Sequence, residues 1–480
     1  MHYDSLFIGG RWTAPASAER VQVISPATVE PVGSVPAVVR ADVDAAVAAA
    51  RHAFDHGPWP STPPEERAQV LTRAARLIEE RSADLMAALT AEMGAPQMIA
   101  MTLNQIPAVA ALDSYAGLAK SFPWNETRTG LFGTSRVSRE PRGVVAAVTA
   151  WNVPLFLAAN KLAPSLLAGC TVVLKPAPLT PITANILADI FTEAGLPEGV
   201  LSVLPAEAEA AEYLVSHPGV DKVTFTGSTA VGKKIGAIAT GQLKSVSLEL
   251  GGKSAAILLP DMDIAGIPVL AFSGLMNSGQ GCVAQTRILA PRSRYDEILD
   301  ALVEHVKTMK VGDPNDPTVQ LGPLISERQR ERVEGYIAKG KEEGARVALG
   351  GGRPEGLDRG WFVEPTIFAD VDNKSTIAQE EIFGPVLSVI PYETEDEAVA
   401  IANDSVYGLA GSVWTADVEH GAEIAARVRT GTYAINWYAF DPSSPFGGYK
   451  NSGLGRENGP EGLDSFCEQK SLLMPMGWAG

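Results

Sequence analysis

Cys282 is the residue whose surroundings most clearly suggest chemistry. It lies in the stretch SGQGCVAQTR, residues 278–287, where the flanking glycines have no side chain that could shield the thiol. A structural cysteine is usually packed among apolar neighbours instead. An accessible thiol can act as a nucleophile once it ionises, so Cys282 is a candidate for covalent catalysis, with a structural role as the alternative.

A carboxylate stands 33 residues upstream of this cysteine. Glu249 ends an apolar stretch in SLELGGKSA, residues 247–255, and Gly251 and Gly252 follow closely. In parallel α/β sheets, ligands bind in the crevice at the carboxyl ends of the strands. We therefore expect Glu249 to face a ligand crevice, while an ion pair at the sheet edge is the alternative.

The stretch VTFTGSTAVGKKI, residues 223–235, has nearly the spacing of a nucleotide-binding P-loop. Gly227 is followed after four residues by Gly232 and Lys233, but Lys234 occupies the position where magnesium binding needs a hydroxyl. An apolar strand precedes Gly227 and a helical pattern follows it, so the first amides of the helix can meet a phosphate. This geometry suits an NTPase and a dinucleotide enzyme equally well.

Alternating strands and helices would position these residues. From Gly143 onward, wholly apolar runs of strand length alternate with helical patterns, which is typical of a parallel sheet with helices on both faces. Residues 40–120 are predicted to be mostly helical, and a second α/β segment is predicted from Gly251 to about Asn436. Between them we predict strands over 143–151, 170–176, 199–205 and 222–226, and helices over 154–169, 180–195, 209–217 and 228–239.

The composition is ordinary for a soluble globular protein, except that acidic side chains strongly outnumber basic ones. The chain has 480 residues, which is enough for two or three domains. Its formal net charge of -17 comes from 39 basic and 56 acidic side chains. Such a charge repels nucleic acid backbones and anionic membrane surfaces, so we expect neither nucleic acid nor membrane as a partner.

The amino terminus and the cysteines bear on the compartment. The stretch MHYDSLFIGGRW lacks the features of a signal peptide, and no apolar run reaches the roughly 18 residues of a membrane-spanning helix, so we expect a cytoplasmic protein. Cys170, Cys282 and Cys467 are odd in number and far apart, which excludes a disulfide framework. We expect no metal site, because His52 and His56 alone have helical i, i+4 spacing and lack ligand-like partners nearby.

Seven motifs together resemble the aldehyde dehydrogenase superfamily. They extend from residue 149 to residue 457 and are, in order, TAWNVP, LKPAPLTP, FTGSTAVGKKI, LELGGKSA, GQGCVAQTR, EEIFGPV and PFGGYKNSGLGRE. The resemblance implies an α/β fold with a doubly wound dinucleotide-binding domain, a second α/β catalytic domain and a small β oligomerisation extension. It also implies that the FTGS turn binds a dinucleotide and that its P-loop spacing is a coincidence.

The resemblance further implies domain boundaries and an assembly. The dinucleotide-binding domain would comprise residues 1–122 and 144–250, the catalytic domain 251–440, and the extension 123–143 and 441–480. Residues 127–143 alternate as a hairpin should, and the carboxyl-terminal CEQKSLLMPMGW is too apolar to lie free in water. In similar proteins such segments form a shared sheet, so we expect a homodimer or homotetramer.

By resemblance, the chain oxidises an aldehyde to the carboxylic acid with NAD or NADP. Cys282 is similar to the nucleophile that forms a thiohemiacetal and then a thioester, and Glu249 to the base that activates a water. Asn152 resembles the donor that stabilises the oxyanion, together with the Cys282 backbone N–H. A helix N-cap before Pro154 is the alternative role for Asn152.

The implied cofactor is NAD. Lys175 is similar to the lysine that holds the adenosine ribose, and Glu381 to the acceptor for the nicotinamide ribose. Phe383 resembles the ring beside the nicotinamide, with core packing as the alternative. The implied cofactor-binding residues are Trp151, Lys175, Pro178, Gly227, Ser228, Gly232, Leu250, Glu381 and Phe383.

Pro178 departs from the family pattern. Many members that prefer NAD have glutamate three residues after the lysine, and its carboxylate attracts the 2′-hydroxyl and repels a 2′-phosphate. Proline does neither, so we predict that NAD is preferred but NADP is tolerated. The expected discrimination is roughly tenfold to a hundredfold, or about 1.4 to 2.8 kcal/mol.

The implied substrate pocket is mostly apolar and aromatic and lacks an arginine or lysine that could bind a substrate carboxylate. This favours an aldehyde with a hydrophobic tail, although Asn160 leaves room for polar groups. A coenzyme A-acylating dehydrogenase is the alternative enzyme, and a non-catalytic binding or structural role is the alternative class. The pocket residues are Val153, Leu157, Asn160, Val283, Trp437, Phe440 and Phe446.

Overall fold

A computed structural model of the chain describes residues 1–438, 440–476 and 478. Within these residues, two large sheets contain most of the strands, and a three-stranded sheet and a short hairpin contain the others. The large sheets are mainly parallel and helices pack on them, so the predicted α/β class is confirmed.

The strands are β1 (Leu6–Ile8), β2 (Arg11–Thr13), β3 (Arg20–Ile24), β4 (Pro31–Pro36), β5 (Asn125–Gly130), β6 (Gly133–Pro141), β7 (Val144–Val148), β8 (Thr171–Lys175), β9 (Leu201–Val203), β10 (Lys222–Thr226), β11 (Ser245–Glu249), β12 (Ala255–Leu258), β13 (Arg287–Pro291), β14 (Arg346–Leu349), β15 (Thr366–Ala369), β16 (Val386–Tyr392), β17 (Gly411–Trp414), β18 (Ala434–Ile435), β19 (Gly453–Leu454) and β20 (Cys467–Leu473).

The helices are α1 (Arg40–His56), α2 (Pro64–Glu80), α3 (Ser82–Met93), α4 (Gln97–Ile99), α5 (Ile106–Leu118), α6 (Pro154–Ala168), α7 (Pro181–Glu193), α8 (Ala208–Ser216), α9 (Thr229–Gly241), α10 (Ile267–Leu275), α11 (Tyr295–Lys307), α12 (Glu327–Glu342), α13 (Thr376–Gln379), α14 (Glu395–Asn403), α15 (Val418–Arg427) and α16 (Gly459–Asp464). A π-helical segment, Ala100–Gln105, joins α4 to α5.

The first large sheet has the strand order β19-β11-β10-β7-β8-β9-β1-β2. Its central strands are parallel, and β7, β8 and β10 are buried along their whole length because helices cover both faces. The register pairs Val148 with Lys175 and Thr226 with Glu249. These strands therefore deliver Lys175 and Glu249, and the segments that follow Val148 and Thr226, to one edge.

The second large sheet has the order β14-β15-β16-β13-β12-β17-β18. Here the functional candidates precede the strands: Gly252 comes just before β12, Cys282 before β13, and Phe383 before β16. Because these strands are parallel neighbours, their amino ends lie at one edge. The site is thus built where the carboxyl ends of the first sheet meet the amino ends of the second.

The three-stranded sheet contains the hairpin expected over residues 127–143. Strand β5 pairs with β6, and β20 pairs with the other side of β6 from Cys467 opposite Pro141 to Leu473 opposite Ser135. The segment from 441 does not belong to this sheet as a whole. Its strand β19 pairs with β11 in the first sheet. Leu463, an apolar residue of the same segment, is buried in the apolar core formed by the helices that cover this sheet.

Among the described residues, no helix is long and apolar enough to cross a membrane. Nor do three or more histidine, cysteine, aspartate or glutamate side chains of these residues come together in an arrangement that could hold a metal ion.

Candidate active site

The loop before Cys282 is strained. Residues 277–282, here called the catalytic loop, follow α10, and three consecutive residues in it, Asn277, Ser278 and Gly279, have φ angles of 54°, 54° and 71°. A Cβ atom on Gly279 would lie 2.0 Å from the carbonyl oxygen of Gly384. Consecutive non-glycine residues in the left-handed region cost free energy and are found mainly at functional sites.

Buried side-chain hydrogen bonds hold this loop in place. The amide of Asn277 donates to the carbonyl oxygen of Asn152 (2.9 Å), and the amide of Asn152 donates to the carbonyl oxygen of Gln280 (3.1 Å). The Gln280 side chain donates to the Asn277 carbonyl oxygen (3.0 Å) and accepts from the Ile325 N–H (2.9 Å). Asn152 is therefore fastened to the catalytic loop two residues before Cys282, and no acceptor among the described residues takes its second amide hydrogen.

Cys282 is partly exposed as a residue, whereas Cys170 and Cys467 are buried. Its surroundings disfavour the thiolate. Desolvation raises the pKa of Cys282 to about 12, and the carboxylates of Glu381 and Glu249 act in the same direction. The thiol is thus protonated at neutral pH in the unliganded protein, and forming the nucleophile requires a proton acceptor.

Glu249, the last residue of β11, is only 4% exposed. Its Oε2 atom has no hydrogen-bond partner among the described residues. Burial raises the pKa of Glu249 well above its ordinary value, and the nearby Glu457 carboxylate raises it further. A carboxylate in this environment is a strong base once it is ionised.

A buried ion pair next to Glu249 was not predicted from the sequence. The Lys161 ammonium lies 2.5 Å from the Glu457 carboxylate and also donates to the Thr224 hydroxyl (3.1 Å). The Asn160 amide donates to the same Glu457 carboxylate (2.9 Å). A lone lysine in the apolar helix α6 was the available signal, because a charge there needs a buried partner.

The segment from Thr226 to Gly232, here called the cofactor turn, connects β10 to α9. Ser228 is the N-cap of α9 and its hydroxyl accepts from the Val231 N–H (3.4 Å), while the Gly227 N–H donates to the Glu249 carbonyl oxygen (3.0 Å). Ser228 and Val231 are exposed. The turn therefore presents the amino end of a helix at the sheet edge, which fits a pyrophosphate.

Glycine at position 232 allows a close contact within this turn. A Cβ atom there would lie 2.2 Å from Cδ2 of the buried Leu250 side chain. The first turn of α9 can therefore pack directly on the residue that follows Glu249, which ties the cofactor turn to the base.

Lys175 lies at the same edge, at the end of β8, and is 9% exposed. Its ammonium has no hydrogen-bond acceptor among the described residues. Desolvation lowers the pKa of Lys175 to about 8, and the carboxylate of Glu207 opposes this shift. Pro178 is partly exposed nearby along the chain. A buried ammonium without an acceptor fits a ligand that supplies hydroxyl oxygens, such as a ribose.

Two glycines bring Glu381 and Cys282 against the loop after Glu249. The Gly252 N–H donates to the Glu381 carboxylate (2.9 Å), and a Cβ atom on Gly251 would lie 2.4 Å from the same carboxylate. A Cβ atom on Gly252 would lie 2.3 Å from the Cys282 carbonyl oxygen. Desolvation raises the pKa of Glu381 to about 7.

Phe383 is held in a left-handed conformation, with φ of 61°. Its ring meets the Trp151 ring edge-on at a centroid distance of 5.3 Å. Two side chains that the sequence did not reveal fix this segment: Gln329 donates to the Phe383 carbonyl oxygen (2.8 Å), and Arg332 donates to the Glu381 carbonyl oxygen (2.6 Å). Both lie on the polar helix α12, where nothing in the pattern distinguishes them.

An aromatic cluster occupies part of the predicted substrate pocket. Phe440 contacts Phe446 at a centroid distance of 5.7 Å and Phe156, which the sequence did not single out, at 4.6 Å. Leu157 is buried nearby on α6. Two further predicted residues, Val153 and Val283, are partly exposed beside Asn152 and Cys282 in the chain.

Two predicted pocket residues behave differently from the others. Trp437 is 58% exposed. Asn160 is buried, and its amide is committed to Glu457. The neighbouring Tyr438 was not predicted, yet burial raises the pKa of its phenol and Cys282 is among the groups that affect it.

Comparison with known proteins gives consistent results. The model of the aldehyde dehydrogenase family matches residues 12–472. Geranial dehydrogenase of Castellaniella defragrans is 48% identical over 474 residues, covering 98% of this chain and 99% of that protein. The crystal structure of a Mycobacterium tuberculosis aldehyde dehydrogenase complexed with NAD+ is 63% identical, covers 100% of both chains and has a TM-score of 0.99.

A Pseudomonas syringae aldehyde dehydrogenase C variant, solved with NAD+ and octanal, is 41% identical to this chain. The similarity covers 98% of this chain and 96% of that one, with a TM-score of 0.95.

Proposed function

Because the chain belongs to the aldehyde dehydrogenase family, we propose that it oxidises aldehydes with a hydrophobic tail and that Cys282, Glu249 and Asn152 carry the chemistry. It is an NAD-dependent enzyme that converts an aldehyde to the carboxylic acid. The residue assignment depends on two observations: Asn152 is hydrogen-bonded to the catalytic loop, and Gly252 in the loop after Glu249 packs closely against the Cys282 backbone.

In the first step, the Cys282 sulfur bonds to the aldehyde carbon and the carbonyl oxygen becomes an oxyanion. The thiol proton leaves to solvent water as the sulfur–carbon bond forms, so Glu249 stays available as the base for the hydrolytic step. The free amide hydrogen of Asn152 and the Cys282 N–H would stabilise the oxyanion. Such a donor contributes on the order of 3 kcal/mol to lowering the barrier.

When bound, NAD supplies the acceptor for the hydride that leaves the aldehyde carbon. Cys282 then holds the acyl group as a thioester. Glu249 removes a proton from a water, which attacks the thioester carbon and releases the acid and the thiol. Burial raises the pKa of Glu249 and so makes its carboxylate a strong base for this step.

The residues present fit NAD. Lys175 and the amino end of α9 at Ser228 would hold the adenosine ribose and the pyrophosphate, and Glu381 would accept from the nicotinamide ribose. Trp151 and Phe383 offer aromatic surface at the same edge. We also propose that NADP is tolerated, at a disadvantage of roughly tenfold to a hundredfold.

The substrate tail would lie on the aromatic cluster of Phe156, Phe440 and Phe446. This apolar surface favours an aliphatic, terpenoid or aromatic aldehyde. Two relatives support this choice: one is named a geranial dehydrogenase, and another was solved with octanal. Reaction with a short semialdehyde acid should be weaker, because the predicted pocket residues include no cation.

An aldehyde panel tests this proposal. Octanal, geranial, benzaldehyde and succinic semialdehyde should be compared by kcat/KM for NADH formation, with products identified by mass spectrometry. We expect the first three to be preferred and the free acid to form whether or not coenzyme A is present. Preference for the semialdehyde would refute the hydrophobic pocket, and an acyl-coenzyme A product would support the acylating alternative that Glu249 disfavours.

We propose that the chain assembles as a homodimer or homotetramer through the three-stranded sheet. Leu131 and Phe132 at the hairpin tip are 90% and 86% exposed, and Leu473 and Met476 at the carboxyl terminus are 80% and 91% exposed. Large apolar groups clustered at one extension are typical of interfaces. Light scattering at micromolar concentration should give a multiple of the 50.6 kDa chain mass, and a monomer mass would contradict the proposal.

A reducing compartment such as the cytoplasm would suit this chemistry, because Cys282 must remain a free thiol to act.

A further inference from the structure

Lys175 and Glu207 are delivered to the same edge of the first sheet by two neighbouring parallel strands. Lys175 ends β8, and the register pairs Leu174 of this strand with Val203 at the end of β9. The Leu204 N–H then donates to the Leu174 carbonyl oxygen (2.9 Å). From there the chain runs directly to Glu207, which precedes the first residue of α8.

The Glu207 carboxylate is free to meet a ligand. It is exposed, makes no capping hydrogen bond to α8, and has no ion-pair partner among the described residues. Two other acidic residues of this helix are paired, Glu209 with Arg40 (3.1 Å) and Glu212 with Lys234 (2.6 Å). Desolvation lowers the pKa of Lys175 and the Glu207 carboxylate opposes this shift, in keeping with the placement of both residues at one edge by β8 and β9.

The charges of Lys175 and Glu207 would act on the 2′-position of an adenosine ribose bound at this edge. A 2′-phosphate beside Lys175 would be attracted by the ammonium and by the amino end of α8. Pro178, three residues after Lys175 in the chain, contributes no charge. The Glu207 carboxylate would oppose a phosphate at this position, while it can accept a hydrogen bond from a hydroxyl.

We propose that Glu207, rather than the residue at position 178, sets the preference for NAD over NADP. This inference deepens the proposed function and rests on its placement of the adenosine ribose at Lys175. In many family members that prefer NAD, a glutamate in the segment after β8 attracts the 2′-hydroxyl and repels a 2′-phosphate. Glu207 would take this role from the connection between β9 and α8. The preference for NAD over NADP, which we predict although position 178 is a proline, would then come from the Glu207 carboxylate.

The experiment compares Glu207→Gln with Glu207→Lys, using Glu209→Gln as a matched control that removes the same charge from the same helix. Isothermal titration calorimetry without aldehyde measures the Kd for NAD and for NADP. We expect the ratio of the NADP Kd to the NAD Kd to fall about tenfold in Glu207→Gln and further in Glu207→Lys. In Glu209→Gln it should stay within about twofold.

The proposal is overturned if Glu207→Gln leaves the ratio within twofold of the unmodified chain, if Glu209→Gln shifts it equally, or if the lysine variant shifts it no further than the glutamine variant. The binding readout separates this proposal from the proposed function. If the unmodified chain did not oxidise aldehydes, the proposed function would be refuted, but the ratios of the NADP Kd to the NAD Kd would still test the role of Glu207.

Discussion

The cofactor turn and the catalytic loop lie at the same edge of the molecule but are held in different ways. The cofactor turn uses backbone groups at a strand-to-helix junction, with the Gly227 N–H donating to Glu249 and a single long side-chain cap from Ser228. The catalytic loop has three consecutive left-handed residues and is fixed by buried side chains of Asn152 and Gln280.

This difference corresponds to the tasks of the two segments. A pyrophosphate is bound by several backbone amides, so no single side chain of the cofactor turn is decisive. A thiol and an oxyanion donor must be placed to within a fraction of an ångström, and strain held by a buried network achieves this. Substitutions in the catalytic loop should therefore have larger effects than substitutions in the cofactor turn.

The largest effect is expected for Cys282→Ser. Steady-state NADH formation should fall by more than about 10³-fold, because the hydroxyl is a weaker nucleophile and no base here is suited to ionise it. The NAD Kd should stay within about twofold, since Cys282 is not part of the cofactor turn. Comparable turnover in this variant would remove Cys282 from the mechanism.

The next effect is expected for Asn152→Ala. Losing the oxyanion donor should lower kcat by about 10²- to 10³-fold with little change in the NAD Kd. Part of the loss would come from the loop, because the amide also holds the Gln280 carbonyl oxygen. Stopped-flow measurement of hydride transfer checks this, and a rate within tenfold of the unmodified enzyme would remove Asn152 from the role of oxyanion donor.

A smaller loss is expected for Gly279→Ala. The added Cβ atom would meet the Gly384 carbonyl oxygen in a residue that already has φ of 71°, so the catalytic loop must shift. We expect kcat to fall about tenfold to a hundredfold. Gly344→Ala is the matched control, because Gly344 has φ of 88° with open space around its Cβ position. Equal loss of kcat in both variants would show that backbone strain alone, without the contact, is responsible.

The smallest effect is expected for Ser228→Ala in the cofactor turn. Its capping hydrogen bond is long, and N-cap substitutions typically cost about 0.5 to 2 kcal/mol. The NAD Kd should therefore rise severalfold while kcat at saturating NAD is unchanged. A loss of kcat as large as that of Asn152→Ala would contradict the distinction between the two segments.

The sequence predicted the local parts of this architecture well. Strand β10 has the predicted bounds 222–226, and helices α6, α7 and α9 begin within one residue of prediction, because each shows a clear apolar pattern bounded by proline or glycine. The catalytic residues were proposed from motifs that resemble a known family.

The parts that depend on distant segments could not be predicted. Lys161 and Glu457 are 296 residues apart, and no local pattern connects them. Asn160 was expected at the pocket, yet its amide donates to Glu457. Gln329 and Arg332 hold the segment of Phe383 through backbone carbonyls, which any polar helix could in principle reach. Such pairings follow from tertiary packing, which one sequence does not specify residue by residue.

Cys282 forms the covalent acyl intermediate, and Glu249 is needed to hydrolyse it. This central claim is tested most directly by the acyl intermediate itself. Glu249→Gln should be mixed with octanal and NAD, quenched within one turnover, and analysed by intact mass and peptide mapping. We expect an octanoyl adduct approaching one per chain on the peptide that contains Cys282, with a single-turnover burst of NADH and little steady rate. An adduct on another residue, or full steady turnover without any adduct, would contradict the account.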